Sequence, residues 1–350
     1  MILTDYTKRL LDDIEMRIDP ETENDYLQQW QNFWNNNCHD IFFIPQRKVL
    51  TKPHIEIQRI NINDALDNYE LMLDMQLAMV SDQLGSPTSA LGMRANYGTG
   101  IMTSLFGAEI FKMPRETDTL PTTRSLNDRN AVKNILEKGI PDLSHGFGES
   151  VFTFGAFCRE LLQDYPQISQ HVQMYHPDTQ GPLDVAELLW GSEIFYDMYD
   201  EPDFVHDVIS LITDTYIKVL DKWFTIFPAK EDLNVHWHLI HKGKIMLRND
   251  SAMNLSPEMY AEFALPYDKH LLEYYGGGCV HFCGRGDHYI DRLCQINALT
   301  SINLSQPHLN DMEQIYRTTF AARKKIIGLD RNTCEKYAAS QGAVPGMLCV

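Results

Sequence analysis

From about residue 88 onward, short apolar runs alternate with longer stretches whose apolar positions recur every three or four residues. The short runs read as strands: residues 171–176, 244–247, 299–304, 325–329 and 346–350, with Cys279-Val280 as a buried pair behind a glycine run. The longer stretches read as helices. One spans Leu183 to Leu189 after the turn Gly181-Pro182. Another opens at Glu201-Pro202 and carries Phe204, Val208, Leu211, Ile212, Ile217 and Leu220 on one face. A third is capped by Ser256-Pro257 and continues through Met259, Phe263 and Leu271. Strands separated by helices of this length predict a parallel sheet, and their number predicts an α/β fold of the (β/α)8 TIM barrel type over residues 86–350. A doubly wound open sheet is the competing architecture. No Gly-x-Gly-x-x-Gly follows a strand, which disfavours dinucleotide binding.

Residues 1–85 have a different texture. Polar helical stretches rich in Asp, Asn and Gln are interrupted by Phe42-Phe43-Ile44-Pro45 and Pro53. An amphipathic segment from Ala65 to Leu84 follows, with Leu71, Leu73, Met75, Leu77 and Met79 among its apolar positions. This part is expected to be a helical N-terminal extension that packs on the barrel.

Composition narrows the function. The chain has 350 residues, 44% hydrophobic and 22% charged, as a globular protein does. Its formal net charge of −18 argues against nucleic acid and against an anionic membrane surface, both of which would repel it. No apolar run approaches the roughly 18 residues that cross a bilayer. The first residues lack the basic and apolar regions of a signal peptide, and the seven cysteines are scattered and odd in number. A cytoplasmic protein with reduced thiols is the expectation.

Chemistry in a barrel collects just beyond the C-terminal ends of the strands. The polar residues predicted there are Arg94 and Asn96; His176, Asp178 and Gln180; Arg248, Asn249 and Asp250; His281 and Cys283; Asn303 and Ser305; and Asp330, with Cys349 at the end of the last strand. His281 and Cys283 are two positions apart on an extended backbone, so an imidazole and a thiolate project the same way and both reach one ion. A buried cysteine beside a hydrogen-bonded histidine is the plainer alternative. Asp250, with no lysine beside it, favours a ligand or acid/base role. Asp178 serves either the site or the turn before Gly181. His236, His238 and His241 form a second histidine group, with positions 236 and 238 expected on one side of an alternating strand. A serine hydrolase elbow and a phosphate loop are both absent.

Together these residues resemble the uroporphyrinogen decarboxylase superfamily, a (β/α)8-barrel group. The resemblance rests on Asp178 to Leu183 leading into Ala186 to Gly191, Arg248 to Pro257 followed by Phe263 and Pro266, His281-Phe282-Cys283-Gly284, and Ile326 to Asp330. The His-x-Cys-Gly piece brings the chain closer to the zinc-dependent methyltransferases that act on methylated corrinoid proteins than to the true decarboxylases. The resemblance implies His281 and Cys283 as Zn2+ ligands and, by order in the chain, Cys349 as the third. It implies a thiol or similar acceptor activated on zinc, and a corrinoid protein or free methylcobalamin as methyl donor. Asp178 and Asp250 would orient the acceptor, with Arg94, Asn96, His176, Gln180, Arg248, Asn249 and Asn303 as substrate contacts. The arginine-rich segment that grips propionates in true decarboxylases is not visible. A metal-free lyase and a non-catalytic corrinoid or small-ligand binding barrel are the alternatives. No helix pattern follows the last strand, and the barrel end this exposes favours a homodimer.

Overall fold

A computed structural model describes residues 3–340 and 342–350. In chain order its strands are β1 Phe42–Phe43, β2 Gly92–Met93, β3 Ile110–Phe111, β4 Thr122–Thr123, β5 Gln173–Met174, β6 Leu233–His236, β7 Leu239–Lys242, β8 Ile245–Arg248, β9 Gly278–Phe282, β10 Leu299–Leu304, β11 Lys325–Ile326 and β12 Leu348–Cys349. Six of them form one parallel sheet in the order β1-β12-β11-β10-β9-β8. β2 and β5 form a separate parallel pair, and β3–β4 and β6–β7 are antiparallel hairpins. The fold is α/β, with helices between most of the parallel strands.

Local chemistry explains the helices. Thr4 and Asp19 cap the first two, Asp5–Arg17 and Pro20–Trp34, by accepting from the backbone N–H groups of Thr7 and Thr22. The long helix Pro202–Ile226 opens on a proline whose missing N–H would be unpaired in any case. It buries Val205, Val208, Ile209, Ile212, Tyr216, Val219, Leu220 and Trp223 at helical spacing. Ser256 caps Pro257–Phe263 as its sequence predicts, but the helix ends there and a second, Leu265–Tyr274, carries Leu271.

Several expected elements differ. The segment 1–85 is not purely helical: its Phe42–Phe43 is the edge of the main sheet, paired with Leu348–Cys349. The first strand thus lies beside the last. The amphipathic stretch 65–84 is broken at Asp67-Asn68, where the Asn68 side chain caps a new helix, Tyr69–Leu84. His171 ends a helix rather than starting a strand, because Pro166 opens that helix and only Gln173–Met174 pairs. Residues 234–239 are the arm and tip of the β6–β7 hairpin, not one strand. Trp237 turns the chain there with φ of 56°.

The apolar core has two parts. The larger lies between strands and helices. The smaller gathers Trp30, Phe33, Phe43, Tyr175, Met246, Cys279, Ile327 and Cys349 from the second helix and from several strands. Stacked and edge-on contacts among Trp30, Phe33 and Phe43 tie the N-terminal helices to the sheet.

Candidate metal centre

β8, β9 and β10 end side by side, with Arg248 opposite His281 and His281 opposite Asn303. His281, on β9, points one ring nitrogen at a fixed partner. Its Nδ1 is 2.6 Å from Asn303 Oδ1, and the Asn303 Nδ2 donates to the Ile327 carbonyl at 2.7 Å. The second bond sets the amide's orientation, so Oδ1 must accept from the Nδ1–H. Nε2 keeps its lone pair and faces Cys283 Sγ at 3.4 Å and Asp250 Oδ1 at 3.8 Å. Asp250 Oδ1 also accepts the Cys283 N–H at 2.6 Å, and Ser305 Oγ lies 3.5 Å from Cys283 Sγ. Gly284 then reverses the chain with φ of 74°; a Cβ there would press on the Met253 sulfur at 2.6 Å.

Among the described residues this is the one set of three His, Cys or acidic side chains whose ligand atoms come within 4.8 Å of one another. The donor set suits zinc. Bond lengths of about 2.0 Å to nitrogen and about 2.3 Å to sulfur at a tetrahedral ion separate the two donors by about 3.5 Å. The observed sulfur–nitrogen distance of 3.4 Å matches, while the nitrogen–oxygen distance of 3.8 Å asks the carboxylate to close by a few tenths. Burial lowers the His281 pKa, outweighing Asn303 and Asp250, and so keeps the imidazole neutral, as a ligand must be. Burial also raises the Cys283 thiol, and the Asp250 charge adds to this. Were zinc bound, three protein donors would leave a fourth position open, as in catalytic rather than structural zinc sites.

Behind the group lies a second polar cluster. Asp178 is held between Arg248 Nε at 2.9 Å and Arg94 Nη1 at 3.3 Å, with Gln180 Nε2 donating at 2.6 Å. Burial alone would raise the Asp178 pKa; the two guanidiniums reverse this and hold it below the usual carboxylate range. Arg94 also donates to Asn96 Oδ1 at 3.0 Å. Gln180 holds a left-handed φ of 58°, and Gly181 follows it because a Cβ would run into the Arg248 carbonyl.

The structure brings Asp250, His281, Cys283 and Asn303 together, and Arg94, Asn96, Asp178, Gln180 and Arg248 beside them. Cys349 is not in the metal group. It is fully buried in the smaller core, with Sγ 3.2 Å from the Val350 carbonyl, and Asp250 is the third member of the candidate group. His176, expected as a substrate contact, bonds to backbone groups. Its Nε2 accepts the Met246 N–H at 3.1 Å, linking the segment after β5 to β8 where no strand ladder joins them. Asn249 turns away to Asp268 Oδ2 at 2.8 Å. Asp330 caps the helix Arg331–Ala338. His236 accepts from Arg248 Nη2 at 3.0 Å, His238 sits in the hairpin tip, and His241 has no carboxylate or thiolate partner among the described residues.

Two residues escaped the sequence reading. Asp184, in the helix Pro182–Trp190, is buried and accepts the Asp250 and Ser251 N–H groups at 3.1 and 2.7 Å, fixing the loop that presents Asp250. Burial and the Asp250 charge raise its pKa. Trp237 meets His281 edge-on at 4.9 Å and covers the Arg248 guanidinium at 4.8 Å. Its position between two histidines in a polar stretch was the available signal; Asp184 offered none.

A cleft of about 550 Å³ opens at the group, lined by Trp237, His281, Asn303, Ser305 and Asp330 among others. A smaller one of about 340 Å³ reaches Asp250 from the side of Gln180, Asp184 and Ser251. No helix is long and apolar enough to cross a membrane among the described residues. In comparisons with known proteins, no family model and no curated protein matches the chain.

Proposed function

We propose that this protein is a zinc-dependent methyltransferase on a (β/α)8 barrel, similar to the corrinoid-linked members of the uroporphyrinogen decarboxylase superfamily. It moves a methyl group from a methylated corrinoid protein or methylcobalamin to a thiol. The observation that carries this reading is the convergence of Asp250, His281 and Cys283, with His281 oriented by Asn303. The barrel reading is supported by the eight parallel strands β1, β2, β5 and β8 to β12, and by the pairing of the first with the last. Its seams would fall between β1 and β2 and between β5 and β8, the second bridged by His176.

Bound zinc supplies the positive charge that holds an acceptor thiol as thiolate near neutral pH. The protein's part is placement. Asn303 fixes the tautomer and angle of His281, a second-shell bond of the kind that tunes metal ligands. Asp184 fixes the Asp250 loop through two backbone N–H groups. Transfer forms a sulfur–carbon bond as the carbon–cobalt bond breaks, with its electron pair left on cobalt. Such an in-line displacement needs donor and acceptor on opposite sides of the methyl group. One cleft reaches Asp250 and the other reaches His281, two approaches to the group.

The test follows methylcobalamin absorbance at fixed zinc while thiols are added. Wild type converts the methylated form and Cys283→Ala does not. Equal conversion by a metal-free Cys283→Ala protein would overturn the proposal.

A further inference from the structure

The hairpin β6–β7 lies in the midst of the parallel strands rather than beside them. Val235 packs on Gly92 of β2, where a Cβ would come within 2.6 Å of it. Gln173 of β5 meets the hairpin twice, donating to Asn234 Oδ1 at 2.7 Å and accepting the Val235 N–H at 2.9 Å. His236 accepts from Arg248 of β8, and Thr300 Oγ1 of β10 lies 2.7 Å from the Lys242 carbonyl. A Cβ on Gly328, just after β11, would meet Leu239 at 2.6 Å. Leu233, Val235, Leu239 and Ile240 share the smaller core with Cys279 of β9 and Cys349 of β12. Side chains alone ordinarily fill such an interior; here a second stretch of backbone does.

The tip of the hairpin reaches the metal end. Trp237 meets His281 edge-on, covers the Arg248 guanidinium, and lines the cleft of about 550 Å³ together with His281, Asn303 and Ser305. The Ala90 N–H, donating to the His238 carbonyl at 2.8 Å, ties the tip to the segment before β2. Trp237 turns there with a left-handed φ of 56°, a conformation uncommon for a bulky residue and one that collects at functional sites. Hairpin turns ordinarily give such a position to Gly, Asn or Asp. Tryptophan adds nothing to the turn itself, so its contribution lies in what the ring does at the cleft.

We propose that Trp237 sets the size of the acceptor: its indole is the wall beside His281 that admits a slender thiol and excludes one carrying bulk next to its sulfur. No third ring fits between two whose centres are 4.9 Å apart, because carbon atoms in contact already stand about 3.5–4.0 Å from one another. The hairpin behind the ring is held from several strands, so the wall cannot swing aside without unpacking the interior. Trp237 takes no proton and holds no metal; it determines specificity by occupying space. This rests on the thiol-methylation reading for the chemical nature of the acceptor, and not for the wall.

The experiment removes the ring without straining the turn. Glycine adopts a φ of 56° freely, so Trp237→Gly deletes the indole and relaxes the backbone. Calorimetry on the zinc-loaded full chain compares phenylmethanethiol with 2-mercaptoethanol in wild type and variant. The affinity ratio should move toward the bulkier thiol by at least about tenfold in Trp237→Gly, with zinc content retained. Trp237→Phe should move it less, and serves if the glycine variant does not fold. On the metal-free chain, indole should bind Trp237→Gly saturably and wild type not at all, since the opened volume matches its ring. Indole added to the zinc-loaded glycine variant should return the ratio to the wild-type value. A ratio unchanged in the folded variant overturns the proposal, as does indole binding that leaves a shifted ratio where it was. The outcomes separate from those of the methyl-transfer reading. A shifted ratio without methyl transfer removes only the reaction. Methyl transfer with an unshifted ratio removes only the wall.

Discussion

Two polar groups lie side by side in the interior, and they use their side chains in opposite ways. In the first, His281, Cys283 and Asp250 turn three donor atoms toward one point, and Asn303 sits outside to aim the imidazole. In the second, Arg94, Asp178, Arg248, His236 and Gln180 are turned on one another, with Arg248 Nη1 and His236 Nδ1 left buried without a partner among the described residues. Histidines are present in both. What separates a metal centre from an ion network is the company each histidine keeps. His281 has a thiol and a carboxylate on its free nitrogen, whereas His236 has a guanidinium, which repels a cation.

The comparison can be broken most forcefully at Cys283. Cys283→Ala should lose zinc and methyl transfer together, read by elemental analysis and methylcobalamin absorbance. Next is Asp178→Asn, which leaves two buried guanidiniums without a counter-charge. It should lower stability by about 3–5 kcal/mol in denaturant titration, with zinc content per folded chain unchanged. Because the Asp178 pKa is depressed, its contribution is complete above the ordinary carboxylate value and is lost as pH falls through the folded one. The variant should therefore show a flatter loss of stability than wild type below about pH 4. Asn303→Ala comes third: a missing second-shell bond should weaken zinc by about 10- to 100-fold in a chelator competition, without the stability loss of Asp178→Asn. Smallest is His241→Gln, which should leave zinc untouched and shift stability by about 1 kcal/mol or less. A large zinc loss there would erase the distinction between the two groups.

Much of this was legible along the chain. The His-x-Cys spacing placed His281 and Cys283 beside one another, because a strand's two-residue period carries from sequence to space without distortion. Runs such as residues 299–304 and the helix opened by Pro202 follow from patterns that tertiary contacts did not override. Short strands were harder. Phe42–Phe43 is two residues long and owes its place to pairing with residues some three hundred positions later, which no local pattern records. The place of Cys349 was misread for a related reason. Cys349 has the expected order and comes last, but its packing with Phe43, Trp30 and Ile327 puts its sulfur in the apolar core. Asp250 reaches the group because a loop anchored on Asp184 carries it there, and both anchoring bonds are to backbone N–H groups, invisible in side-chain spacing.

Whether Asp250, His281 and Cys283, and not Cys349, hold the proposed zinc is read by elemental analysis of protein prepared without chelator, comparing wild type, Asp250→Ala and Cys349→Ser. About one zinc per chain is expected in wild type and in Cys349→Ser, and a clear loss in Asp250→Ala. Zinc retained in Asp250→Ala but lost in Cys349→Ser, or no metal in any of the three, would contradict it.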